Sequence, residues 1–213
     1  MSEIEFQREG IFFCLVGPAG SGKTSIAEKV LAVHEGSLTQ SVSYTSREQR
    51  ANEKEGKHYH FVSREKFVEM QEADMFFEWE ENHGNLYGTL NANIENCINN
   101  AQDLLLIIDI RGALNLKKQF PENCVVCFIL PPSFADLEKR IIARGGADEA
   151  EVKRRLQTAK DEIEKLYQAR HIDDSIGYIV RNYDLKSACK RVHSILIAER
   201  SAFKRVKDSE LLK

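Results

Sequence analysis

"IFFCLVGPAGSGKTSIAEKVLAVH", Ile11 to His34, is the stretch that decides the fold. Ile11 to Val16 form a continuous apolar run, the pattern of a strand buried on both faces of a parallel sheet. After the glycines, Ile26, Ala27, Val30 and Leu31 recur at helical spacing and predict a helix with one apolar face. Between the two, "GPAGSGKT" fits G-x-x-x-x-G-K-[ST], and strand, loop and helix in that order are the setting in which such a loop binds phosphate. Gly17, Pro18, Ala19, Gly20, Ser21, Gly22, Lys23, Thr24 and Ser25 are therefore the candidate site for a nucleoside triphosphate. Main-chain N–H groups and the positive end of the helix would cradle two phosphates, and the glycines let the backbone approach them. Lys23 would reach the β and γ phosphates, and the Thr24 hydroxyl would complete the oxygen shell of a Mg²⁺ ion carried with the triphosphate.

Working outward, "DLLLIID" (Asp103 to Asp109), "CVVCFIL" (Cys124 to Leu130) and "YIV" (Tyr178 to Val180) are further apolar runs of strand length, separated by helical patterns. One of these, "SFADLEKRIIARG", opens with Ser133 followed three residues later by Asp136, a capping box. The sequence thus predicts a single α/β domain over 1–213, a phosphate-loop parallel sheet flanked by helices, with function at the C-terminal ends of the strands. Residues 37–90 break the rhythm with short, half-polar, aromatic-rich strands ("HYHFV", "FFEWE") and turns at "EGK" and "HGN", which predicts a small β-rich insertion. A charged, glycine-containing stretch between Arg140 and Arg155 predicts a second interruption, a mobile helical lid over 140–170. The core is left with 10–36, 91–139 and 171–205, and "RVHSILIAERSAFKRVKDSELLK" reads as an amphipathic helix fading into a charged tail.

A chain of 213 residues, 42% hydrophobic, with a formal net charge of -3, suits one core and small-molecule partners rather than nucleic acid or an anionic membrane. No apolar run approaches membrane-spanning length, and the acidic N-terminal stretch lacks a signal-peptide core, so a cytoplasmic protein is expected. Five cysteines without framework spacing fit a reducing compartment. Cys124 and Cys127, three apart on a strand, should point to opposite faces, which argues against a zinc or redox pair. His58 and His60 in "HYH", with no third ligand nearby, are read as polar side chains beside Tyr59 rather than a metal site.

The insertion distinguishes among phosphate-loop proteins. "SVSYTSREQR" (Ser41 to Arg50), "GKHYHF", "EW" at Glu78 and Trp79, "GNLYGT" and "LIIDIRGA" follow one another at intervals that resemble the guanylate kinase family. Its pattern runs S-x-S-x-T-T-R-x-P-R, G-x-x-Y-x-F, E-W, G-N-x-Y-G-T, then an acidic strand end and Q-G. The resemblance extends from Gly17 to about Asp184. It implies transfer of the γ-phosphoryl group of ATP to GMP or dGMP, with Mg²⁺. Carried over by residue, it implies a GMP site at Ser43, Arg47, Arg50, Tyr59, Glu78, Tyr87, Thr89 and Asp109. It further implies lid arginines at Arg140, Arg144 and Arg155 acting with Lys23 on the transferring group, and Asn182 on the adenine side.

The chemistry of these residues agrees. Two arginines three apart can grip a phosphate dianion with planar forks while Tyr59 and Tyr87 add hydroxyl donors. A carboxylate such as Glu78 can accept from both donors on the guanine edge, with Ser43 or Thr89 serving the carbonyl or amine; adenine presents the opposite pattern. The sequence departs from the family at Ile107, where an acidic residue is usual, at Arg111 in place of Gln, at Tyr44, Ser46 and Gln49, and at Gly146 and Ala147 in the lid. Two other readings of the same fold make different demands on the sequence. A kinase of the same fold acting on another phosphorylated acceptor should lack the guanine-reading set. A scaffold module holding phosphopeptides should have a degenerate phosphate loop, and here the loop is intact. Oligomeric state is not legible.

Overall fold

A computed structural model of the chain describes residues 8–82, 84–143, 149–172 and 176–205. In chain order the elements are β1 (Phe12–Val16), α1 (Lys23–Val33), β2 (Leu38–Gln40), β3 (Tyr44–Thr45), β4 (His60–Phe61), α2 (Arg64–Glu72), β5 (Phe76–Asn82), β6 (Asn85–Leu90), α3 (Asn91–Asn100), β7 (Asp103–Ile107), α4 (Ile110–Gln119), β8 (Cys124–Leu130), α5 (Phe134–Ala143), α6 (Glu149–Ile172), β9 (Tyr178–Arg181) and α7 (Leu185–Arg200). Among the described residues, β2-β7-β1-β8-β9 form a parallel sheet.

The unbroken apolar runs follow from this architecture, because helices cover both faces of the sheet. Alternation along the first strand sends Phe13 and Leu15 toward α1 and α7, where Ile26, Val30, Val192 and Leu196 close a core. It sends Phe12, Cys14 and Val16 to the other face, against Ile94 of α3, Leu116 of α4 and Leu166 of α6. Each such fully buried side chain contributes roughly 1.5–3 kcal/mol from area removed from water. Cys127 belongs to the first core and Cys124 to the second, the opposite-face placement expected from their spacing.

Two boundaries differ from the sequence reading. Leu38–Gln40 lies within the stretch assigned to the insertion, yet it pairs in parallel with Asp103–Leu105 as the edge of the core sheet. Only Leu38 of these three is buried, so the short polar strand carries little apolar signal. Between Arg140 and Arg155, within the stretch read as a helical lid, α5 reaches Ala143 and α6 starts at Glu149. Val152, Leu156 and Ala159 pack on Leu137 and Ile141, a narrow stripe that suffices for a helix lying on one neighbour. Arg144, Gly146 and Ala147 lie outside the described residues. The C-terminal helix begins earlier than read, at Leu185, where the Asp184 side chain accepts from the Ser187 N–H.

The insertion is a second sheet in the order β4-β3-β6-β5. Leu86 and Phe76 pack with Phe67 and Met70 of α2 beneath it. A register shift between Phe76 and Glu78 resets the alternation of the strand. Such a bulge re-aims side chains. Here Phe76 is buried against α2 while Glu78, Glu80 and Asn82 stand opposite Thr89, Tyr87 and Asn85 on the other face. That face looks onto the C-terminal edge of the core sheet. Ser133 caps α5 with its side chain, Oγ accepting from the Asp136 N–H at 3.0 Å and donating to the Asp136 carboxylate at 2.6 Å. Among the described residues no helix is long and apolar enough to cross a membrane.

Candidate active site

A cleft of about 250 Å³ lies between the two sheets and is walled on a third side by α6. Of the residues singled out from sequence, Gly17, Ala19, Gly20, Gly22, Lys23 and Thr24 line it at the core sheet, and Ser43, Arg47, Arg50, Tyr59, Glu78 and Tyr87 at the insertion. Asp109 and Arg155 complete this set. Ser21 and Pro18 are buried within the loop, and Ser25 is exposed away from the lining.

The phosphate loop is built for an anion. Gly22, the N-cap of α1, has φ +101, and no side chain caps the helix. At α2, α4 and α7, by contrast, Ser63, Asp109 and Asp184 cap with side-chain oxygens. The first N–H groups of α1 thus have no side-chain acceptor where the loop meets the cleft, as an incoming phosphate requires. A Cβ on Gly22 would come 2.3 Å from Asn182 Nδ2, so a larger residue is excluded on two grounds. Lys23 Nζ folds back onto the carbonyl oxygens of Gly17 and, at 3.1 Å, Pro18.

Asn182 and Arg140 stand behind the loop rather than in the cleft. Asn182 Nδ2 donates to Ser21 O at 2.8 Å, and Arg140 reaches Gly20 O, Ser21 O and Asn182 O, each at 3.4 Å. Both brace the loop's carbonyls. Arg155 lines the cleft with its Nε held 2.7 Å from Glu151 Oε1.

At the insertion, Arg47 makes a two-pronged contact with Glu53, at 2.8 and 2.9 Å, and the Arg50 N–H donates to the same carboxylate at 3.0 Å. Burial opposes ionisation of Glu53, but the Arg50 N–H and the Arg47 guanidinium outweigh it and lower its pKa. Glu53 therefore fixes the spacing of two cations that face the cleft. Tyr59 packs edge-on to Tyr87 at 5.8 Å, and burial pushes its hydroxyl up to about 12. It stays a neutral donor. His58 and His60, flanking it, take other partners: His58 Nδ1 accepts from the Lys54 N–H, and His60 Nδ1 meets Glu55.

The other end of the cleft is acidic. Thr89 Oγ1 donates to Glu78 Oε1 at 2.7 Å; burial raises the Glu78 carboxyl to about 7, opposed by that hydrogen bond and aided by Asp109. Asp109 Oδ1 accepts from the Gly112 N–H at 2.6 Å, capping α4. Arg111, at the family's Gln position, lies 3.4 Å from both Asp109 Oδ2 and Glu80 Oε2. Glu162 of α6 also lines the cleft, its pKa raised by burial and pulled down by Lys23.

Sequence reasoning missed Glu53, Glu80, Asn82, Asn85, Glu151, Thr158 and Glu162 in this lining. Strand and helix periods hold the missing signal: Glu80 and Asn82 share the face of Glu78 at steps of two, and Glu162 follows Arg155 by two helical turns. Among the described residues no three His, Cys, Asp or Glu are grouped to hold a metal ion. The Thr24 hydroxyl in the cleft nonetheless fits Mg²⁺, which keeps several waters and takes few protein oxygens beside phosphates.

An uncapped loop–helix cradle with a lysine, facing a pocket of paired arginines and tyrosines across one cleft, defines a phosphate-loop α/β protein. The family model "Guanylate kinase" matches residues 11–199. The guanylate kinase of Thermotoga maritima is 41% identical over 200 residues, covering 94% of this chain and 92% of that protein. That of Clostridioides difficile is 36% identical over 203 residues, covering 95% of each. The crystal structure of guanylate kinase from Anaplasma phagocytophilum superposes with a TM-score of 0.79 at 31% identity, covering 97% of this chain and 95% of the other. The chain belongs to the guanylate kinase family.

Proposed function

We propose that the protein transfers the γ-phosphoryl group of ATP to GMP, yielding ADP and GDP in purine nucleotide metabolism. The observation that carries this reading is the opposition, across one cleft, of the Lys23 loop and the Arg47–Arg50–Tyr59–Tyr87 pocket, with the hydrogen-bonded Glu78–Thr89 pair beside the latter. The loop from Gly17 to Ser25 takes the triphosphate, braced by Asn182 and Arg140. The insertion takes GMP: arginines and tyrosines on its phosphate, Glu78 on the ring N–H and amine, Ser43 and Thr89 beside them, Asp109 at the strand end. Residues 140–170, including Arg144, serve as the lid, and Arg155 neutralises charge on the transferring group.

The attacking atom is an oxygen of an already ionised phosphate, so no general base is needed. Alignment and charge neutralisation by Lys23 and the arginines supply the catalysis. Mg²⁺, held at Thr24 and by phosphate oxygens, would add charge stabilisation there. The third wall formed by α6 excludes water, the competing acceptor. The chemistry and the charge balance fit a cytoplasmic enzyme using free nucleotides.

Adenine or a pyrimidine in the pocket leaves Glu78 facing the wrong partners, at about 1–3 kcal/mol per unmatched group. ADP release with GMP, AMP, CMP and UMP as acceptors tests the reading. GMP should lead by at least roughly tenfold to a hundredfold, and the lead should shrink in Glu78→Gln. Equal rates with AMP, or an unchanged preference in the variant, overturn it.

A further inference from the structure

A contact outside the cleft lining ties the insertion to the core. Before β4 the chain folds into a tight turn, in which the Lys57 and His58 N–H groups donate to Lys54 O at 3.2 and 3.1 Å and the Gly56 N–H donates to Tyr59 O at 2.9 Å. The Lys54 N–H in turn donates to His58 Nδ1 at 2.9 Å. That bond makes Nδ1 an acceptor and leaves the proton of the neutral imidazole on Nε2. Nε2 lies 3.3 Å from Glu28 Oε1 of α1, and Lys57 Nζ lies 3.7 Å from the same oxygen. One carboxylate of the core thus meets a hydrogen-bond donor and a cation presented together by the insertion.

The two ends of this contact adjoin the two anion sites. Glu28 follows Thr24 by four residues, one helical turn along the same face of α1, and His58 directly precedes Tyr59. Thr24 and Tyr59 both line the cleft. Phosphoryl transfer needs the attacking oxygen within about 3–3.5 Å of the phosphorus. Neither site sets that gap by itself, because Lys23 and Thr24 belong to the core while Arg47, Arg50 and Tyr59 belong to the insertion. We propose that Glu28, gripping Lys57 and His58, is a positioning residue that holds the GMP half of the cleft at transfer distance from the ATP half. The inference rests on the GMP-kinase reading and adds to it a tie that touches neither nucleotide.

Glu28 is the side to change, because replacing His58 would also strip the Lys54 N–H of its acceptor. Glu28 is exposed on α1 and alanine suits a helix, so the variant keeps the fold. Titration calorimetry on wild type, Glu28→Ala and Glu28→Gln compares ATP alone, GMP alone and adenosine–guanosine pentaphosphate, a ligand that must span both sites at once. Glu28→Ala should bind the pentaphosphate about fivefold more weakly, the upper size of an exposed pair, while ATP and GMP alone stay within twofold of wild type. Its kcat should fall by a similar factor with both KM values held. Glu28→Gln, whose amide oxygen still accepts from His58 Nε2–H, should lie nearer wild type than alanine does. An alanine variant with unchanged pentaphosphate affinity, or one that loses all three ligands in parallel, overturns the proposal. Wild-type protein that binds the pentaphosphate no tighter than ATP or GMP alone would instead undo the underlying two-nucleotide function.

Discussion

Replacing Gly112 with alanine should separate stability from function, because the space it fills belongs to Glu78. A Cβ at this position would lie 2.8 Å from Glu78 Oε2, 3.1 Å from its Cδ and 3.2 Å from Asp109 Oδ1. Ordinary contact begins at 3.4 Å, so the carboxylate must retreat by roughly 0.6 Å. The obstructing atoms are the far end of a flexible side chain, so the fold can yield at small cost. Alanine inside a helix gains about 0.5–1 kcal/mol over glycine, while the strained Thr89–Glu78 hydrogen bond loses about 1 kcal/mol. Net stability should stay within about 1 kcal/mol of wild type. Function has no such compensation: hydrogen bonds to a charged group are worth about 1.5–3 kcal/mol each, so one misplaced bond to guanine lowers kcat/KM for GMP by roughly tenfold to a hundredfold. Initial-rate kinetics against each nucleotide, with a thermal melt, measure both effects. A folded variant with unchanged KM for GMP, or a melting temperature lowered by more than about 5 °C, would refute the reasoning.

Lys23→Ala should lower turnover by at least about a hundredfold with a melting temperature close to wild type, as circular dichroism and a coupled assay would show; near-normal turnover contradicts the charge clamp. Asp103 is fully buried between Arg8 and Arg200, with N···O distances of 2.6 and 2.7 Å, and also accepts from the Ile11 N–H. Asp103→Ala strands both guanidiniums and should cost about 3–5 kcal/mol by denaturant titration. His34 Nδ1 faces Arg200 at 3.1 Å while Nε2 meets His193 Nδ1 at 2.9 Å, and burial followed by the Arg200 charge lowers its pKa below 6.5. Above that value both folded and unfolded states are neutral; below it the unfolded chain takes up the proton first. Stability should therefore drop as pH falls from 6.5 until the folded pKa is passed, no more steeply than about 1.4 kcal/mol per pH unit for this one proton. His34→Gln should flatten that part of the profile.

The first strand, loop and helix were legible because three independent signals coincide there: an apolar run, glycines at fixed offsets and a helical stripe. The arginine pair and the Glu78–Thr89 partnership were legible only as part of a longer spaced pattern, since each residue alone reads as surface or packing. Other features depend on contacts that spacing does not encode. Leu38–Gln40 joins the core sheet through main-chain pairing, which polar side chains neither announce nor forbid. Asn182 and Arg140 brace the loop from behind because β9 and α5 converge there, and sequence places them no nearer to it than to the nucleotide. Glu53 and Glu80 look like ordinary surface acids until the fold sets them against Arg47 and Arg111.

Transfer from γ-labelled ATP in a single turnover, with the enzyme in excess and GMP present, is the most direct measurement. Label should pass into the β position of GDP with no more than a trace in inorganic phosphate. Label released chiefly as inorganic phosphate, or carried to AMP as readily as to GMP, would contradict a cleft that aligns two nucleotides and reads guanine on one of them.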